Sequence, residues 1–268
     1  MKRTTYILIG LFVAGLCVLV GGMFTIFCLG RPYKLDLQGE LELLTTKEVP
    51  ACRVIWLTQA DMHTEGRSVW LANSLLEVLP AKDGKSTFSC SEKANDCLKI
   101  TVSGDTLKIL FDYPLDRLPQ ELEESKYIGL NPGSMRLTMM EEVECIIDDI
   151  YAQKITFKHL AKDSLSINTS NSIVVDSCDF AALRVIRSGR TADFRSGTIK
   201  NLHLNLSMMD DWYVNVEKFH IGTEYLTGHN SKVQLQKGEC ERMIWIPEKA
   251  DSKLNVSLTG KVCVTEIE

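Results

Sequence analysis

Basic residues, proline and the common catalytic signatures are all scarce in this chain of 268 residues. Lys and Arg number 30 against 35 Asp and Glu, a formal net charge of -5. A nucleic-acid-binding surface normally carries a basic footprint, so no nucleic-acid partner is expected. Seven prolines and 17 glycines exclude a collagen-like or proline-rich polymer. A 45% hydrophobic content excludes a disordered chain. No G-x-S-x-G, Walker A or H-E-x-x-H signature occurs, so the usual nucleophile elbow, phosphate cradle and helix-borne zinc site are absent. Gly104 and Gly189 are isolated turn glycines. No Cys lies in a C-x-x-C, and the five histidines form no ligand-spaced pair. Neither a metal nor a cofactor is expected.

Charge is also missing from the first thirty residues, where only Lys2 and Arg3 are charged. Tyr6 to Leu29 is an uncharged apolar run that would reach about 36 Å as a helix, enough for a ~30 Å hydrocarbon core. The run predicts a cytoplasmic tail over 1–5 and an uncleaved signal anchor over 6–29 in contact with the lipid bilayer. The expected location is the inner membrane, single-pass, with the C-terminal domain outside the cytoplasm. A cleaved signal peptide fits less well, because its apolar region is shorter and ends in an A-x-A-like site. A lipoprotein signal needs a small residue before the cysteine, whereas Cys17 follows Leu16 and Cys28 follows Phe27.

Seven further cysteines lie beyond that run, an odd number that rules out complete pairing within one chain. Cys90 and Cys97 bracket the polar stretch SEKAND and form the natural local disulfide. Cys52, Cys145, Cys178, Cys240 and Cys263 are widely spaced and read as small buried hydrophobes.

Strand signals dominate the rest. ACRVIWLT is rich in β-formers, and LKITV with TLKILFDY around Ser103-Gly104-Asp105 predicts a hairpin. WLANSLLEVL is open between helix and strand, and Leu115 to Ser125 reads as a loop or one short helix. From about Met135 onward short apolar alternations recur between Ser, Asn, Asp and Gly, with a period near 19 on one face through Leu183, Leu202 and Ile221. One such unit is too small to bury its apolar residues alone. Stacked at ~4.8 Å, the units pair every backbone group with the unit above and below and align the inward side chains into a column. An all-β β-solenoid-like domain is expected, with a β-rich part over 30–134 and stacked rungs over 135–268. An antiparallel sandwich is the competing architecture.

The tract DFAALRVIRSGRTADFRSGTIKNLHLNLSMMDDWYVNV, preceded by SLSINTSNSIVV and the hairpin CLKITVSGDTLKILFDY, resembles the head GIN domain family over roughly residues 97–265. Ser-Gly or Thr-Gly pairs stand at 103–104, 188–189, 196–197, 227–228 and 259–260. The family's Gly-Ser-Gly triplets are missing, and Trp212 with Arg184, Arg187, Arg190 and Arg195 depart from its rungs. The resemblance implies a right-handed β-helical fold in the bacterial cell envelope and brings no catalytic residues.

Two candidate surfaces follow. Arg184, Arg187, Arg190 and Arg195 form a local basic stretch suited to an acidic glycan or phosphate, with solvated outward positions as the plainer explanation. Trp212 and Tyr213, beside Asp210-Asp211, suit a sugar platform, with core packing or a cap contact as the plainer explanation. Asp176, Asp179 and Asp193 would approach each other on adjacent rungs, and glycoside cleavage uses two carboxylates at ~5–10 Å. The expected role is a non-enzymatic binding, adhesion-like or scaffolding protein with an unidentified protein or glycan partner. A glycan-acting enzyme and a self-assembling envelope scaffold are the alternatives. If Leu204 points inward, Leu204→Asp lowers unfolding free energy by several kcal/mol in urea titration, on the order expected for an unpaired buried charge. The same change at the outward Asn205 is expected to be nearly silent.

Overall fold

The computed structural model describes residues 2–29, 33–38, 44–64, 66–122, 125–150, 153–187, 191–207, 209, 211–229 and 231–259. The apolar run forms the helix Lys2–Leu29. Its side chains are described over residues 10–25, where Leu11, Phe12, Val18 and Phe24 are exposed. Among the described residues, no helix is long and apolar enough to cross a membrane. The expected inner-membrane, single-pass location is corrected accordingly.

The remainder is mostly β, arranged as a curled sheet whose strands are largely parallel. The hairpin is present, with Leu98–Ser103 antiparallel to Thr106–Phe111 and Gly104 at φ 57°. WLANSLLEVL is not helical. It is two strands, Arg67–Leu71 and Ser74–Pro80, separated at Asn73 with φ 56°. Leu115 to Ser125 holds two short 3₁₀ turns rather than one helix, and Leu122 buries its side chain there.

Parallel register explains why the apolar alternation recurs. Leu165, Leu183, Leu202, Glu224 and Met243 are successive partners along one inner column. Ile146, Ile167, Val185, Leu204 and Leu226 form the next. On another wall Val78, Phe157, Val175, Phe194 and Val214 align, each essentially inaccessible to water. Each buried side chain contributes about 1.5–3 kcal/mol of transfer free energy. The column through Leu183 and Leu202 continues to Glu224, not to the expected Ile221, which pairs with Ile199 instead. The longer connection between Asn205 and Phe219 adds residues and resets the period.

Asn and Asp shape the corners by bonding backbone N–H groups two residues ahead. Gln38 N donates to Asp36 Oδ1 (2.9 Å), Gly133 N to Asn131 Oδ1 (3.2 Å) and Glu217 N to Asn215 Oδ1 (3.3 Å). Ser207 N likewise donates to Asn205 Oδ1 (2.9 Å). Asn205 Nδ2 also donates to Glu248 Oε1 (3.2 Å), so Asn205 is a corner residue rather than the inert neighbour expected of it. Leu204, at 1% exposure, does point inward.

The longest strands, Ser172–Arg187 and Thr191–Asn205, turn from one wall to the next at Ser177 (φ 56°) and Gly197 (φ 126°). A Cβ on Gly197 would lie 2.0 Å from the carbonyl oxygen of Cys178. Gly197→Ala is therefore expected to cost at least about 2 kcal/mol in denaturant titration. Gly104→Ala, also at positive φ but with open space around it, should cost only about 1 kcal/mol.

Candidate functional site

On the wall built from Ser74–Pro80, Ser134–Met139, Gln153–Lys158 and the first parts of the two long strands, outward side chains line up as the inward ones do. One outward row reads Arg136, Glu77, Thr156, Val174, Asp193, Tyr213. Its neighbour carries Lys158, Asp176 and Ser196. Where the two rows end, a hollow of about 550 Å³ is lined by Asp176, Asp193, Arg195, Ser196, Tyr213, Asn215 and Lys218.

Local bonding holds these groups in place. Ser196 Oγ donates to Asp176 Oδ1 (2.6 Å), and Ser177 N donates to Ser196 Oγ (2.9 Å). The positive φ of Ser177 turns this backbone N–H toward the next rung. Arg195 Nε donates to Asp193 Oδ2 (2.8 Å), a partly exposed pair worth at most about 1 kcal/mol. Asn215 is fixed by its corner bond to Glu217 N. Among the described residues Lys218 has no ion-pair partner. Tyr213 is 58% exposed, so the hollow combines an accessible aromatic side chain with two carboxylates, an amide, a hydroxyl and two cations.

The structure divides the residues singled out from the sequence. Arg195, Tyr213, Asp176 and Asp193 meet in the hollow. Asp179 does not line it, and its Oδ1 accepts from Thr198 Oγ1 (2.6 Å). The expected basic stretch is not one patch: Arg184 and Arg187 follow the corner at Ser177, on the wall shared with the segment after Gly197, whereas Arg195 precedes the corner at Gly197 and lies on the other wall. Arg184 lies in register with Ser166 and His203, where His203 stacks on Tyr225 at 4.4 Å. Burial, followed by the Arg184 charge, holds the His203 imidazole below its ordinary value. Arg187 pairs with Asp149 at 3.9 Å. Arg190 falls outside the described residues. Trp212 is no platform, since it is buried on the inner side of its strand and donates from Nε1 to Glu239 Oε1 (2.8 Å). Ser196, Asn215 and Lys218 went unnoticed in the sequence. Two of them lie on the corner that breaks the 19-residue period.

Cys90 and Cys97 stand as two free, buried thiols rather than the expected disulfide. SEKAND is not an open loop but a single helical turn, Glu92–Asn95, capped by Ser91 Oγ accepting from Ala94 N (3.3 Å). Burial pushes the Cys90 thiol up to about 12. Among the described residues no cluster of His, Cys, Asp and Glu fits a metal ion.

No family model matches this chain, and no curated protein matches it. The head GIN resemblance thus rests on the sequence tract alone. Among solved structures, a candidate adhesin from Bacteroides fragilis NCTC 9343 is 10% identical with a TM-score of 0.48, covering 84% of this chain and 97% of its own. A candidate adhesin from Parabacteroides merdae ATCC 43184 is 8% identical with a TM-score of 0.40, covering 85% and 98%. A candidate lipid-binding protein from Parabacteroides distasonis ATCC 8503 is 12% identical with a TM-score of 0.37, covering 88% and 100%. Likenesses this distant lend no weight to any reading of the hollow.

A second ionisable group departs from the pattern around it. Glu224 occupies the column position that the previous rungs give to Leu165, Leu183 and Leu202, and it is fully buried. By hydrogen-bond geometry neither carboxyl oxygen has a partner, and the nearby Cys240 thiol favours the charged form only weakly against burial. Burial, reinforced by the neighbouring Glu239, pushes its pKa from 4.5 to about 8. Glu239, which accepts from Trp212 and from Gln236 N (2.7 Å), is itself raised by burial. A carboxyl that holds its proton only in the folded state stabilises fully below pH 4.5, and that stability is lost as pH rises to about 8. Glu224→Leu should therefore raise the melting temperature at neutral pH and remove most of the decline in stability over that window, the residue coming from Glu239. Thermal scans across the window check this, and a flat wild-type profile would show Glu224 to be ionised and solvated.

Proposed function

We propose that this chain is a non-enzymatic binding protein, a right-handed β-solenoid carrying a carbohydrate site in the Tyr213 hollow. Parallel pairing of successive strands at offsets near 19 residues supports the coiled reading. The parts at 30–134 and 135–268 are then two stretches of one coil, whose apolar core is continuous from Leu37 to Leu235.

The observation that carries the reading is the exposed Tyr213 side chain set among planar hydrogen-bonding groups. A pyranose presents an apolar C–H face and an equatorial belt of hydroxyls. The aromatic face takes the first, while Asp176, Asp193 and Asn215 accept from, and Arg195 and Lys218 donate to, the second. The carboxylates are braced by Ser196 and Arg195, so little side-chain entropy is lost on binding. An adhesion-like role follows if the carbohydrate belongs to a surface.

Two carboxylates in one hollow also keep the glycan-cleaving alternative in view, and product analysis separates it from binding. Glycan-array profiling of the wild-type protein, followed by titration of the retained oligosaccharides, is the direct test. Tyr213→Ala is expected to weaken binding at least about tenfold, the loss typical of an aromatic anchor, with the substrate recovered intact. Unchanged binding by Tyr213→Ala would remove the site, and shortened oligosaccharides would replace binding by catalysis.

A further inference from the structure

A second hollow, of about 540 Å³, opens on the same outward wall, and Leu75, Glu77, Arg136, Lys154, Thr156 and Lys158 are among its lining residues. The two hollows share a border. Lys158 of the second and Asp176 of the first are register partners on neighbouring strands. From Arg136 to Tyr213 the outward row crosses five strand spacings, about 24 Å at ~4.8 Å each. Charge is sorted along it. Glu77 accepts from Arg136 Nε (3.1 Å) and Lys158 Nζ (2.7 Å), and this holds its carboxyl below the usual range. Lys154 is left without an ion-pair partner among the described residues. Leu75, in register beside Lys154, is 49% exposed and supplies an apolar floor.

We propose that the two hollows form one elongated site for a sparsely acidic oligosaccharide, laid across the strands with a carboxylate on Lys154 and a neutral ring on Tyr213. The inference rests on the carbohydrate reading of the Tyr213 hollow and adds ligand charge and direction. A sugar ring advances by roughly one strand spacing, ~5 Å, so successive rings meet successive strands. Among the described residues Lys154 offers an unpaired cation in the second hollow, as Lys218 does in the first, and only around Lys154 do further basic groups, Arg136 and Lys158, outnumber the carboxylates and add field to it. At the other end Arg195 and Lys218 offset Asp176 and Asp193, so that end is formally neutral and gives a uniformly charged uronate polymer or a nucleic acid no advantage over a sparsely charged chain. A single exposed leucine covers too little apolar area to hold an acyl chain.

The probes are hyaluronan oligosaccharides, which carry a carboxylate on every second sugar, chitin oligosaccharides of equal length, which carry none, and oligogalacturonate, which carries one on each. Calorimetric titration at two salt concentrations is expected to rank hyaluronan first by about tenfold, with the advantage shrinking as salt screens the carboxylate. Lys154→Gln, an exposed and structurally tolerant change, should abolish that advantage while leaving the chitin affinity unchanged. Tyr213→Ala should weaken both. Equal affinities unaffected by Lys154→Gln would overturn the inference and leave the Tyr213 site standing. Loss through Lys154→Gln without any effect of Tyr213→Ala would overturn both, as would tightest binding of oligogalacturonate through Lys154 alone. Failure of all three probes in a protein that retains array glycans through Tyr213 would overturn the inference alone.

Discussion

The parallel backbone ladder is the interaction on which everything else in this structure depends. Once two strands pair in register, their side chains are stacked at one strand spacing and alternate between the two faces. An inward residue is therefore committed to a column. Val78, Phe157, Val175 and Phe194 show the consequence, since each is covered above and below by its partners in the column. The ladder leaves little room where it bends. At Gly197 the backbone passes so close to Cys178 that no side chain fits, which is why a Ser-Gly pair stands there.

The same geometry builds the outer surface. Asp193 and Tyr213 meet because they occupy equivalent positions on paired strands, although twenty residues of chain separate them. Ser196 reaches Asp176 across a bulge for the same reason. The hollow is thus a product of register, completed by a corner that brings Asn215 and Lys218 to its rim. Glu224 is the exception that tests the rule. Register places it inside, no partner neutralises it, and burial makes it hold a proton that an exposed glutamate would release. The core around Glu224 is therefore sensitive to pH.

Much of the local structure was legible because it depends on neighbours in sequence. The 98–111 hairpin follows from alternation around Gly104, and the inward direction of Leu204 from its place in an alternating run. The Asn and Asp corners follow from side chains that bond the backbone two residues ahead. WLANSLLEVL was undecidable, because a short apolar run fits either period until pairing partners are known; its strands exist because Tyr127–Asn131, Ser134–Met139 and Gln153–Lys158 lie beside them. Trp212 and Tyr213 could not be separated by composition. Strand parity buries one against Glu239 and exposes the other.

By itself the sequence determined that the chain beyond its first helix is β-rich, acidic and built from short alternating units with polar corners. Those properties follow from residue type and spacing. Which rung faces which, and hence which charges share a surface, was decided only by the tertiary structure. The arginines at 184, 187 and 195 are neighbours along the chain, yet they part company because 184 and 187 lie beyond the corner at Ser177 and 195 lies ahead of the equivalent corner at Gly197. Lys154, Asp193 and Tyr213, distant in sequence, come to one face because successive strands pair in parallel and in register.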